Sequence, residues 1–221
     1  MASEGKRSYE LHEVAEAVDH YAARIIPVHV AIQAKQTILS LPEMEALLSK
    51  AGQIALGPCE CRQKHGNCDA PVETCLSVGK WAGEEMLAHA GWRIITLSEA
   101  LGVLRRSHEA GLVHLAYRQR DQEISVICSC CSCCCWFLKA LKRFDYHDAI
   151  AESAYVATYD PAQCSACGVC VSRCQFGAWT EDGAGSGKGV SFDPARCFGC
   201  GLCVGTCPTG AISFVERPKA R

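Results

Sequence analysis

Leu11, Val14, Ala15, Val18, Ala22 and Ile25 recur at helical spacing. The pattern predicts an amphipathic helix over about residues 10–25, closed by Pro27. Val28 to Ile32 fits a short strand. Pro42 stands where a first helical turn accepts proline, with Met44, Leu47, Leu48 and Ala51 on one face and Gly52 as the stop. Gln53 to Leu56 then reads as a short buried strand.

Farther along, Gly79 to Ala90 reads as a helix ended by Gly91, and Trp92 to Ile95 as a strand. Thr96 and Glu99 form a capping box that opens a helix through Leu101 and Leu104 to Gly111. Leu112 to Arg118 and Glu123 to Cys128 alternate as two strands around Gln119-Arg120-Asp121-Gln122, a hairpin. Helix, helix and hairpin in this order resemble the outline of a winged helix. Trp136 to about Ala151 predicts a further helix with Phe137, Leu138 and Leu141 inward. Between Gly177 and Pro194, two short strands flank a glycine-rich turn that lacks the frame of a phosphate-binding loop. The fold class is α+β. A helical, winged-helix-like, cysteine-rich domain is expected over residues 1–152, and a second domain over residues 153–221.

That second domain carries two cysteine runs. Cys164, Cys167, Cys170 and Cys174 form the first, and Cys197, Cys200, Cys203 and Cys207 the second. Each is C-x2-C-x2-C-x3-C, a spacing that wraps three thiolates around one 4Fe–4S cube and sends the fourth to the neighbouring cube. Cys164, Cys167 and Cys170 should therefore share a cluster with Cys207, and Cys197, Cys200 and Cys203 one with Cys174. The runs are an internal repeat of about 33 residues. Zinc prefers two separate C-x2–4-C pairs, which four evenly stepped cysteines fit poorly. The segment from about Ala154 to Glu216 resembles the bacterial two-cluster ferredoxins, in Gly168, Gly199, Gly201 and the Cys207-Pro208 ending. The first run departs from that family, with Gln175 where proline would stand.

Composition changes the picture in two ways. Eighteen cysteines in 221 residues are far above ordinary usage, and their tight bunching favours metal coordination over disulfides. The start, Met1 to Arg7, has no apolar signal stretch, and no run reaches the roughly 18 apolar residues of a membrane span. A cytoplasmic protein of a reducing, low-oxygen cell is expected. The formal net charge of −2 argues against a nucleic-acid partner. Two cubes, each about −2 with its thiolates, make the loaded protein more acidic still.

Ten cysteines lie outside the tandem runs: Cys59, Cys61, Cys68 and Cys75, then Cys128, Cys130, Cys131, Cys133, Cys134 and Cys135. Two such bunches are a metal site before they are core packing. Adjacent cysteines point in different directions, so Cys133, Cys134 and Cys135 cannot all face one small cluster. The expectation is that the bunches fold together around at least one further iron–sulfur cluster, with zinc on four of these thiols as the alternative. The two blocks together resemble a group of cysteine-rich, ferredoxin-like iron–sulfur proteins of anaerobes, with Gly111-Leu112-Val113-His114 between them. That resemblance implies cluster binding. Cys130-Cys131 also resembles the paired cysteines of heterodisulfide reductases, without their following glycine.

Other side chains admit both a functional and a purely structural reading. His65 could replace a thiolate. Cys128 or Cys135 could be activated by Lys139 and Arg143. Glu60, Asp69 and Glu73 could serve proton transfer. His114 and His147 read as structural histidines. The function expected is a multi-cluster electron carrier between a low-potential redox donor and the N-terminal thiols, free-standing or as a subunit of a larger oxidoreductase. A small reductase acting on a disulfide-type or other substrate is the alternative. A DNA-binding iron–sulfur sensor ranks third, for want of a basic recognition stripe.

Overall fold

The computed structural model describes residues 10, 12–13, 15–16, 21–25, 47–83, 87–119, 124–144, 150–182 and 189–217. The N-terminal part is built on a six-stranded antiparallel sheet. Its strands are β1 (Tyr21–Ile25), β2 (Ile54–Pro58), β3 (Glu73–Val78), β4 (Arg93–Ile94), β5 (Val113–Gln119) and β6 (Ile124–Cys130), in the order β1-β5-β6-β3-β2-β4. The β5–β6 hairpin read from alternation is present, but it lies in the interior of this sheet. A winged helix would leave it projecting as a wing. The turn between the strands, 120–123, falls outside the described residues.

The first helix is a correction. Residues 12–13 and 15–16 are helical, but Tyr21–Ile25 is a strand, paired antiparallel with β5 from Tyr21–Gln119 to Ile25–Leu115. The apolar spacing there is compatible with either state, and the open edge of β5 decides it. The expected strand at Val28–Ile32 and the helix start at Pro42 and Met44 lie outside the described residues. Residues 47–50 are helical, and Gly52 stops that helix at φ 72°. The helix read over Gly79–Ala90 opens as a 3-10 turn over Gly79–Ala82.

Further helices of this part are α1 (Glu60–His65), α2 (Leu97–Glu109) and α3 (Trp136–Phe144). Thr96 caps α2 by accepting the Glu99 N–H at 3.2 Å. The helix read over 136–151 has ended by Ile150, which is buried in the core instead.

Period-two alternation sorts the sheet into two faces. One carries Leu56, Leu76, Val78 and Ile127 against Ala100, Val103 and Leu104 of α2. The other carries Val113, Leu115, Tyr117, Cys128 and Cys130 against Phe137, Leu138 and Leu141 of α3. The second core does not stop there. It continues through Ile150 into Phe176, Phe198, Cys200 and Leu202 of the C-terminal part.

That part is a short helix α4 (Val169–Arg173) and two antiparallel pairs. Strand β7 (Tyr155–Tyr159) pairs with β10 (Ile212–Glu216), and β8 (Trp179–Glu181) with β9 (Val190–Phe192). The second pair is the hairpin expected between the cysteine runs, in register Trp179–Phe192; residues 183–188 of its turn are outside the described set. Among the described residues no helix is long and apolar enough to cross a membrane.

Candidate metal centres

The chain enters each C-terminal cysteine run through the same turn. Pro161–Gln163 and Pro194–Arg196 are single 3-10 turns with proline in the first position. The Asp160 carboxylate accepts the Ala162 N–H at 3.0 Å, and Asp193 accepts that of Ala195 at 2.9 Å. Cys164 and Cys197 follow, each with its N–H bonded back to the proline carbonyl at 3.2 Å. Asp-Pro-Ala-x-Cys thus fixes the first thiol of each run, a signal that a reading from cysteine spacing alone passes over.

Beyond these turns the thiols gather in two hollows. Cys164, Cys167, Cys170 and Cys207 line the first, of about 320 Å³, with Tyr159, Val169, Val190 and Ile212 as walls. Cys174, Cys197, Cys200 and Cys203 line the second, of about 310 Å³, walled by Phe176, Trp179, Phe198, Leu202 and Phe214. The equal volumes match the duplicated sequence, and each hollow gathers the three-plus-one set that the spacing grouped. Backbone N–H groups point at sulfur: Ala166 donates to Cys164 Sγ and Ala178 to Cys174 Sγ, both at 3.3 Å. The wrapping bends the backbone hard. Gly199 has φ +70°, and a Cβ there would stand 2.1 Å from the Tyr155 carbonyl oxygen.

Four thiols, amide donors to sulfur and an apolar wall fit a 4Fe–4S cube, whose thiolates are stabilised by N–H donors and whose potential is set by water exclusion. Burial pushes the Cys170 thiol up to about 11 and Cys200 up to about 12. Loading therefore expels protons from these sulfurs. The thiols of the two sets differ in exposure. Cys167 of the first is exposed, whereas Cys197, Cys200 and Cys203 of the second are all buried.

Residues 163–211 match the family model of a 4Fe-4S dicluster domain. The C-terminal segment is a ferredoxin-like iron–sulfur unit. No curated protein matches the chain.

The ferredoxin unit is bolted to the sheet at its first cysteine run. Arg173 donates from Nη2 to the His108 carbonyl and from Nη1 to that of Glu109, both at 2.9 Å, at the C-terminal end of α2. Gln175 donates from Nε2 to the Gly111 carbonyl at 3.1 Å and accepts the Ser132 N–H at 3.3 Å. Gln175, read from sequence as a departure from the ferredoxin pattern, is thus a tie to the N-terminal cysteine turn.

The ten N-terminal thiols do converge, and they divide into two sets. Cys68, Cys131, Cys133 and Cys134 have their sulfurs all within 4.8 Å of one another. Cys68 Sγ stands 3.6 Å from Cys131 Sγ, and Cys133 Sγ 3.9 Å from Cys134 Sγ. Of the other six, Cys75, Cys128, Cys130 and Cys135 lie toward the ferredoxin-facing side of the sheet, while Cys61 packs beside Cys131 and Cys134. Cys75 and Cys128 sulfurs are 3.5 Å apart across β3 and β6. The Tyr117 hydroxyl lies 3.9 Å from both Cys130 and Cys135. Cys59 and Cys61, at the start of α1, bond to each other, and both feel the charge of Cys130. Cys133 and Cys134 fall in the first set and Cys135 in the second, so the three consecutive thiols do not all face one site.

Arg62 of α1 was not foreseen. It is 3 % exposed, donates from Nη1 to the Ser129 carbonyl at 2.9 Å and from Nη2 to Thr74 Oγ1, and no carboxylate pairs with it among the described residues. Its charged neighbours are Cys59, Cys130 and Cys131. A buried cation with sulfur for its counter-charge marks an anionic thiolate centre. The Cys59 thiol is lowered to about 7, by the Cys61 hydrogen bond first and with Arg62 helping against burial.

The remaining candidates resolve plainly. Cys128 and Cys135 are held well above the ordinary thiol range, in each case first by a hydrogen bond with Cys130, so neither is an activated thiolate. Arg143 lies over the Phe144 ring. His65 ends α1 and is not in the four-sulfur set. His114 is fully buried, with Nδ1 3.0 Å from Ser129 Oγ. Glu60, Asp69 and Glu73 are exposed, and His147 lies outside the described residues.

Proposed function

We propose that this chain is a multi-cluster iron–sulfur electron-transfer protein. The ferredoxin unit takes single electrons from a low-potential redox partner and delivers them to an N-terminal centre that holds at least one further iron–sulfur cluster. In this reading residues 153–221 are the carrier, residues 1–152 the terminus, and the compartment is a reducing cytoplasm. When bound, the cubes supply one-electron storage at potentials set by their surroundings.

The observation that carries the reading is the order of exposure. The first set carries the exposed Cys167 and the half-buried Cys164 and Cys207, where a partner protein can dock, while three thiols of the second, Cys197, Cys200 and Cys203, are buried. The wall of the buried hollow, Phe176 and Phe198, stacks with centroids 4.7 Å apart. Both rings belong to the same apolar core as Tyr117, Cys130 and Cys135. These residues keep water out from between the two sites. Arg173 and Gln175 fix their separation.

Anaerobic purification with iron and sulfide quantitation, and EPR of the reduced protein, tests the proposal. The ferredoxin unit accounts for about eight irons per chain, and the proposal requires more than that, with a distinct N-terminal signal that survives Cys200→Ala. An iron content of eight or fewer, with no signal left once the ferredoxin signals are accounted for, would refute it.

A further inference from the structure

We propose that Cys68, Cys131, Cys133 and Cys134 bind one tetrahedral divalent ion of the zinc class, and not an iron–sulfur cube. The convergence of four sulfurs decides between the two: among the described residues these are the only metal-ligating side chains that gather as a group this closely, whereas the remaining N-terminal thiols approach one another only in pairs. A zinc ion holds sulfur at about 2.3 Å, so the edges of a tetrathiolate tetrahedron are about 3.8 Å. Two of the sulfur separations, 3.6 and 3.9 Å, match such edges, and all four atoms lie inside 4.8 Å. A cube places an iron behind each thiolate and so holds its four ligand sulfurs farther apart.

The local structure explains how three thiols from four consecutive residues can meet. Cys134 and Cys135 donate their N–H groups back to the Cys131 carbonyl at 3.3 and 3.0 Å, so the chain coils through a tight turn. That turn brings Cys131, Cys133 and Cys134 to one side and sends Cys135 to Tyr117. The fourth thiol arrives from the loop after α1. There Gly66 caps the helix at φ 55°, and Asn67 donates from Nδ2 to the Cys133 carbonyl at 2.8 Å. Leu112 and Ala70 pack around the group.

Charge is consistent as well. Binding one divalent ion converts four thiols to thiolates, releases four protons and leaves a net charge of −2. Arg62, buried against Cys131, supplies a positive neighbour inside the fold. Such a site clamps the first cysteine bunch to the second. It leaves Cys59, Cys61, Cys75, Cys128, Cys130 and Cys135 for the iron–sulfur centre. The assignment goes beyond the electron-transfer reading and does not depend on it.

The test uses the full chain, purified without oxygen. Metal analysis should find one zinc per chain beyond the iron and sulfide. Grown with cobalt in place of zinc, the protein should show the visible bands of a tetrahedral cobalt thiolate. Cys133→Ser should abolish that one equivalent and leave iron and sulfide unchanged. X-ray absorption at the zinc edge of the unmodified chain keeps the test alive if the variant fails to fold: sulfur alone near 2.3 Å, with no metal neighbour, is expected. Loss of iron with sulfide in Cys133→Ser, or no single-ion metal in the unmodified chain, would overturn the assignment. A chain carrying this zinc but no N-terminal iron would refute the electron-transfer reading and leave this site standing.

Discussion

Gln175→Pro would give the first cysteine run the ending of the second. The preceding residue accommodates it: Cys174 sits at φ −75°, ψ 112°, the extended region that proline demands of its predecessor. Gln175 N–H makes no backbone hydrogen bond among the described residues. What the change removes is the side chain and its two bonds, to the Gly111 carbonyl at 3.1 Å and from the Ser132 N–H at 3.3 Å. Each neutral bond contributes about 1 kcal/mol, so the local loss is about 2 kcal/mol. Arg173 still holds the ferredoxin unit at the end of α2. The cysteine turn should therefore loosen without the halves separating. Amide hydrogen exchange on the loaded protein reads this directly. Exchange at Ser132 should quicken by about 30-fold, the equivalent of 2 kcal/mol in local opening. Gln175→Glu separates the two bonds, since a carboxylate still accepts from Ser132 but cannot donate to Gly111. It should preserve Ser132 protection. Unchanged exchange at Ser132 in Gln175→Pro, with iron content intact, would show that the bridge holds nothing.

His114 makes stability depend on pH. Burial lowers its pKa from 6.5 to about 3, so between those values the unfolded chain takes up a proton that the folded chain refuses. The stability is complete above about pH 6.5 and is lost toward acid, by about 2 kcal/mol at pH 5. Anaerobic melting between pH 5 and 7 should show this slope, and His114→Gln should flatten it; an equal slope in both proteins would assign the effect elsewhere. Gly199→Ala attacks the buried hollow. The left-handed φ of +70° costs a side chain about 1–2 kcal/mol. The Tyr155 carbonyl, 2.1 Å from the new Cβ, must also move. Iron bound by the ferredoxin unit should fall from about eight toward about four per chain, and full iron content would contradict the crowding.

The cysteine runs were legible because their chemistry is local. Spacing alone grouped Cys207 with the first run and Cys174 with the second, and the hollows gather those sets. The helix opened by Thr96 and the hairpin after it were local too. What could not be read is what depends on distant pairing. Tyr21–Ile25 has a spacing that suits a helix, and it becomes a strand because β5 has an edge to fill. The division of the ten N-terminal thiols rests on which strands neighbour one another: β3 beside β6 puts Cys75 against Cys128. Part of that division was within reach. Cys128 and Cys130 stand two apart on a strand and so share a face. Arg62 gave no signal, since a lone arginine between cysteines in sequence says nothing of burial.

The duplicated unit nevertheless carries a record of its docking face, in the places where its halves differ. A shift of about 33 residues lays Arg173, Gln175 and Phe176 over Thr206, Pro208 and Thr209, and Phe198 over Ser165. Every member of the first set that is larger or more polar than its counterpart touches the N-terminal part. Arg173 and Gln175 bond to residues 108–111 at the end of α2, and Phe176 and Phe198 enter the shared core. Their counterparts Ser165, Pro208 and Thr209 are exposed. A cube needs the same four thiols and the same small residues in either half, so cluster binding cannot be what made the halves diverge. Contact can. At these four positions the repeat is broken where the unit meets the N-terminal part. Exchanging them for their counterparts would restore the symmetry and loosen the ferredoxin unit from the sheet, leaving both hollows in place.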